Sequence, residues 1–291
     1  MFKISVADLD SPSYFVAVAA ADLGFFRNEG VDVELQREYG GPAYAATRAF
    51  PGWKGTKILC ALAQYSYWFL AVRADLAVTR GDLAALKGLR ISSSMEAPVL
   101  GLRHLLAEAG LDLARGDAQI VSAPPTQAGR FMGHAGVLAI EDGRADAYWG
   151  NGMRLAIGEK LRIAKLHLDL RRGDGPPGAR YYNFAALTAT ERLIAEHPDA
   201  AAGAVRAIVK AQQALKADPS LATGVAERLF PPDEVPLIAG LIARDAPFYD
   251  ATISPEAIDG LNKVARAGGL ITEPVAYEAM VATQFRDLWR G

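Results

Sequence analysis

The sequence has one cysteine, Cys60, among 291 residues. That excludes an intramolecular disulfide and a thiolate zinc cluster, and within its apolar run the lone thiol reads as a small core residue. So little cysteine suits the cytoplasm and a bacterial periplasm alike. Long apolar runs are missing too: the best, residues 14–21, falls far short of the ~20 residues that cross a bilayer. No Lys/Arg-rich run could neutralise a row of phosphates, and the formal net charge is −2, so no nucleic-acid partner is expected. The histidines at 104, 134, 167 and 197 are scattered, without H-x-x-x-H or C-x-x-C spacing. The G-x-S-x-G elbow, the G-x-G-x-x-G turn and the phosphate-loop pattern are all absent. These gaps give no positive case for catalysis and call for neither cofactor nor metal. The first residues run straight into a strand pattern, with no charged, apolar and cleavage segments in succession. The chain is therefore read as either cytoplasmic or exported with its signal removed.

What is present is a large apolar supply, 51% of the residues, in a chain long enough for two lobes. Residues 3–7 read as a strand, Ser11-Pro12 as a helix start, 13–23 as a helix stopped by Gly24, and 31–35 as an alternating strand. Strand patterns recur at 57–62, 68–72, 89–91, 119–122, 147–149 and 163–168. Helices are expected at 80–87, 97–109 and 135–141. Alternation of this kind predicts an α/β fold with a mostly parallel sheet. Residues 171–180, rich in Gly, Pro and charge, read as an exposed connection, and 182–188 as a strand returning to the first lobe. Beyond Thr190 the pattern becomes amphipathic helices at 190–197, 199–217, 219–229, 233–244, 255–267 and 277–289, separated by prolines. They are expected to wrap the first lobe. Lobe I is thus placed at 1–85 plus 182–291 and lobe II at 86–181.

Candidate site residues lie at strand-to-helix turns. A helix N-terminus offers free N–H groups and partial positive charge, and in α/β folds such turns meet in a crevice. Asp8, Asp10, Ser11, Ser13 and Tyr14 would supply one turn and Ser93 with Ser94 the opposing one. Against a simple anion site, Asp8 and Asp10 would instead hold an amine, a hydroxyl or a backbone donor. Gly41, in Tyr39-Gly40-Gly41-Pro42, offers bare backbone. Tyr65, Trp149 and Asn151 put aromatic and amide groups just after strands, which suits an amphipathic organic ligand. Trp68 and Tyr148 read as core. The acids Asp169 and Asp174 show no shared constellation.

The opening, Ser11-Pro12-Ser13-Tyr14-Phe15-Val16-Ala17 followed by residues 23–34 (LGFFRNEGVDVE), resembles the nitrate/sulfonate/taurine-type substrate-binding proteins of ABC importers. So do Leu86-Lys87-Gly88-Leu89-Arg90-Ile91 and Asp142-Gly143-Arg144-Ala145-Asp146-Ala147. The resemblance covers most of the chain, although residues 35–44 are shorter than the family's usual stretch. It implies the two-lobe, Venus-flytrap fold of type II periplasmic binding proteins, closing by hinge motion on a small organic ligand, anionic or aromatic. It further implies a monomer in the periplasm, with a membrane permease as partner. The same superfamily contains cytoplasmic enzymes, similar to the thiamine-pyrimidine precursor family or acting on aromatic carboxylates. An enzyme of that kind is the alternative reading, and a lone Cys60 argues against the cysteine-rich pyrimidine synthase.

Overall fold

The computed structural model describes residues 1–6, 12–36, 55–94, 97–124 and 135–290. Nine strands are described: β1 (Phe2–Ser5), β2 (Val33–Gln36), β3 (Thr56–Ala63), β4 (Phe69–Arg73), β5 (Arg90–Ser93), β6 (Gln119–Ser122), β7 (Ala147–Gly150), β8 (Ala164–Asp169) and β9 (Ala185–Thr190). The helices described are α1 (Pro12–Asp22), α2 (Phe25–Asn28), α3 (Ala97–Glu108), α4 (Ala135–Glu141), α5 (Gly152–Lys160) and α6 (Glu191–Glu196). They continue with α7 (Pro198–Ala217), α8 (Leu221–Leu229), α9 (Val235–Asp245), α10 (Pro255–Ala267) and α11 (Tyr277–Met280).

Helix α1 starts on Pro12, whose missing N–H costs nothing in a first turn. It then runs through Phe15, Val16, Ala17, Val18, Ala19 and Ala20, all buried. A helix apolar all round must be enclosed, and α1 is packed by β3, α2 and α7. Strands β1 and β2 pair in parallel, Phe2 opposite Val33. Strand β3 pairs antiparallel with β9, with register shifts between Ile58 and Cys60 and between Ala61 and Ala63. The buried Gln212 amide on α7 donates to the Ala61 and Leu62 carbonyls at 3.1 and 2.9 Å, so the second irregularity keeps its hydrogen bonds. Cys60 is buried in β3, as expected of a core thiol, and burial pushes its pKa far up.

The second sheet has the order β6-β5-β7-β4-β8. β5 runs parallel to β6 and β7, whereas β4 runs antiparallel to β7 and β8. The expected parallel sheet is thus met by four strands of like direction, with β4 inserted against them. That insertion also moves the expected division at residue 85, because Phe69–Arg73 hydrogen-bonds entirely within the sheet built from later strands. The chain crosses between the sheets at 64–68 and returns at 170–184, where Ser66 N–H donates to the Arg180 carbonyl at 2.7 Å.

The C-terminal helices pack as expected on α1 and β3 through α7, but α9 also reaches α5 and α10 reaches α3. Two expected helices are shorter. Residues 80–87 form only a 3₁₀ turn, Leu83–Leu86, capped by Asp82. Residues 277–289 divide into α11 and a 3₁₀ stretch, Thr283–Arg290, because Ile58 bridges Val281 as a strand partner. The Trp289 indole N–H then donates to the Leu59 carbonyl at 2.8 Å. Among the described residues no helix is long and apolar enough to cross a membrane.

Candidate functional site

Pairing in the second sheet gathers chain ends on one rim. Phe69 lies opposite both Gly150 and Asp169, and Ser92 lies beside Tyr148. The carboxyl ends of β5, β7 and β8 therefore share an edge with the start of β4. Ser93-Ser94, Trp149-Asn151, Trp68 and residues 169–171 all lie there, the position at which α/β sheets present ligand groups.

The first turn of α1 faces this rim. A side chain on Gly152, the first residue of α5, would meet the Pro12 ring at 3.2 Å and the Arg244 Nη2 at 2.4 Å. Only glycine fits there, so the N-termini of α1 and α5 come together with an arginine against them. Asn151 caps α5, its buried side chain accepting from Arg154 N–H at 3.1 Å.

The expected site residues are distributed as follows. Asp8, Asp10, Ser11 and Gly41 lie outside the described residues. Ser13 is buried, and its hydroxyl donates to Asp245 Oδ2 at 3.4 Å. The Tyr14 and Tyr67 hydroxyls share a hydrogen bond of 2.8 Å. Trp149 is buried, donates to the Pro98 carbonyl at 3.2 Å and stacks on Trp68, centroids 6.2 Å apart. Ser93 is buried and donates to its neighbour's carbonyl, that of Ser94, at 3.0 Å, so this hydroxyl serves its own turn. Tyr65 belongs to the crossing instead. It holds φ 66, edge-on to Tyr181 and Phe248, with the Arg180 guanidinium 5.5 Å from its ring centre.

The groups that sequence reasoning missed are charged. Arg171, expected on an exposed connection, is fully buried and forks onto Asp245 with N–O distances of 3.0 and 3.2 Å. Asp169 stands 3.5 Å from its Nε, and the Phe69 and Phe248 rings lie 4.8 and 4.6 Å from the guanidinium carbon. Burial works against the Arg171 charge, but Asp245 and Asp169 outweigh it and hold its pKa above the ordinary value. The acids at 169 and 174 do share a constellation, since Asp174 Oδ2 accepts from the Asp169 N–H at 2.8 Å and pairs with Arg80. Tyr249, buried beside Asp245, donates to the Pro12 carbonyl at 2.9 Å, and burial raises its pKa well above the ordinary value.

Two further arginines are less well matched. Arg244 has its Nε 3.6 Å from Asp245 Oδ1 and its guanidinium 5.0 Å from the Phe69 ring centre, but Nε and Nη2 lack hydrogen-bond partners. Arg154, only 3% exposed, lies 5.6 Å from the Trp68 ring centre; its Nε and the Trp68 indole N–H are both buried without a partner. Among the described residues no cluster of His, Cys, Asp and Glu could hold a metal ion.

No protein-family profile and no curated protein sequence matches this chain. Its shape does match solved structures. The periplasmic aliphatic sulphonate binding protein SsuA from Escherichia coli superposes with a TM-score of 0.70 at 12% identity, over 96% of this chain and 91% of that one. The fold is that of the type II periplasmic binding proteins. The periplasmic nitrate-binding protein NrtA from Synechocystis PCC 6803 shares this binding-protein fold, with a TM-score of 0.65, 14% identity and coverage of 100% and 88%. So does the desulfurization enzyme DSZB, in a complex with biphenyl-2-sulfinic acid, with a TM-score of 0.62, 17% identity and coverage of 98% and 97%. Within the binding-protein fold, the rim of the second sheet and the first turn of α1 are the two sides of the cleft.

Proposed function

We propose that the protein is the solute-binding component of an ABC-type importer, capturing a small organic ligand, anionic or aromatic, between two lobes. The observation that carries this reading is the meeting of the α1 and α5 N-termini at Pro12 and Gly152, with buried polar groups from both sides around them. Paired helix N-termini favour a negatively charged or hydrogen-bond-accepting guest. One lobe holds β1–β3, β9 and the C-terminal helices; the other holds the five-stranded sheet and its helices. The crossings at 64–68 and 170–184 are the hinge, and the partner is a membrane permease that receives the loaded, closed form. Binding proteins for sulphonate and nitrate among the structural neighbours support this role and a periplasmic location.

A desulfurization enzyme on the same fold keeps one alternative in view, an enzyme acting on an aromatic acid. The deciding experiment is a thermal-shift screen of sulfonates, aromatic and aliphatic carboxylates, nitrate, pyrimidines and flavins, followed by chemical analysis of each hit and small-angle scattering. A ligand that raises Tm, shrinks the radius of gyration and is recovered unchanged is the expected result. Recovery of a converted product would establish the enzyme instead.

A further inference from the structure

We infer that Arg154, with the indole N–H of Trp68, is the receptor for an oxyanion on the ligand; this rests on the cleft assigned above. The fold treats its two buried guanidiniums differently. Arg171 is matched by two carboxylates and enclosed by two rings. Arg154 is as deeply buried, yet among the described residues no carboxylate pairs with it and its guanidinium donates no hydrogen bond. Arginine does not escape this situation by losing its proton, so a buried unmatched guanidinium stands at a cost that an arriving anion removes.

Its position is fixed rather than incidental. The side chain folds back over Gly150, where an added Cβ would lie 2.9 Å from Arg154 Cδ, and its head rests on Trp68. Trp68 joins the two sides of the cleft through a run of ring contacts: Tyr14 to Tyr67, Tyr67 to Trp68, and Trp68 to Trp149. The unpartnered groups at this point, the guanidinium and the indole N–H, are donors only. A site with donors and no acceptor selects a carboxylate or sulfonate and rejects an amine, and the adjacent aromatic wall suits an organic body on that anion.

The test uses benzenesulfonate and benzoate as anionic probes and benzenesulfonamide as a neutral one, with the whole chain, by calorimetry and thermal shift. Wild-type protein is expected to bind an anionic probe and not the amide. Arg154→Met keeps the length and removes the charge; the probe-free variant should melt no lower than wild type while affinity for the anion falls roughly a hundredfold. Trp68→Phe keeps a ring and removes the donor, with an expected loss of about tenfold. An Arg154→Met protein that melts lower without probe would mean an internal counter-charge, overturning the assignment. Unchanged affinity in Arg154→Met, with compaction on binding retained, would overturn it and leave the two-lobe reading standing. Preference for the amide would do the same. No response of the wild type to any compound of the wider screen removes the cleft and this receptor together.

Discussion

Single residues here divide by whether their charge is matched inside the protein. Arg171 and Asp245 form a matched pair, with 0% and 2% of their side chains exposed. Asp245→Ala would strand Arg171 in the interior and is expected to cost about 3–5 kcal/mol, read as a lowered urea midpoint. Replacing both with apolar residues should recover much of that loss. Asp146 has a similar role at the edge of the second sheet. Its carboxylate accepts from the Arg90 N–H, Nε and Nη2, and Arg73 lies 3.5 Å away, so three strands are tied at one point. The Arg90 hydrogen bond holds the Asp146 carboxyl below its ordinary value of 3.8, against a smaller opposing effect of burial. The stability it contributes is present above that pH and is lost as pH falls toward the depressed folded value. Asp146→Asn should therefore lower the urea midpoint at pH 7, and the gap from wild type should close below pH 3.8. The sequence showed Asp146 as part of a family-like turn, and Ser13, Trp149 and Asn151 as cleft residues, because they follow strand or helix signals. Arg154, Arg171 and Arg244 gave no such signal. A lone arginine on a helix or a Gly/Pro-rich connection looks solvated until distant elements close over it, and the partner of Arg171 is 74 positions away.

Elements were legible where local chemistry decides them. Pro12 and Gly24 bracket α1, and the strand at Gln119–Ser122 lies where its pattern put it. The sheet to which β4 belongs was not legible, since strand pairing is a long-range matter and Phe69–Arg73 is apolar enough for either sheet. Nor was the breaking of the last helix, which depends on Ile58 claiming Val281. Helix α10 shows how closely elements are fitted: a Cβ on Gly260 would lie 2.0 Å from the Tyr181 carbonyl oxygen, backbone that cannot swing aside. Gly260→Ala is expected to destabilise by the upper part of the ~1–3 kcal/mol range for overpacking, measured by thermal unfolding. A glycine in a helix otherwise suited to alanine was the sole sequence hint of that contact.

At the scale of the molecule, the two crossings are fastened to each other rather than running separately. Ser66 bonds Arg180 across them, Tyr65 meets Tyr181, and Gln64 N–H donates to the Phe248 carbonyl at 2.7 Å. Tyr65 occupies this junction at φ 66, a backbone region that a bulky residue enters only at a cost of about 1–2 kcal/mol. On the two-lobe reading, apparent affinity is the intrinsic affinity multiplied by the fraction of molecules already closed. Substitutions at the junction would then strengthen or weaken every guest by one common factor and leave their rank order intact. Substitutions at the cleft would reorder them. Grip and choice are separable quantities in this architecture, adjustable at different places along the chain.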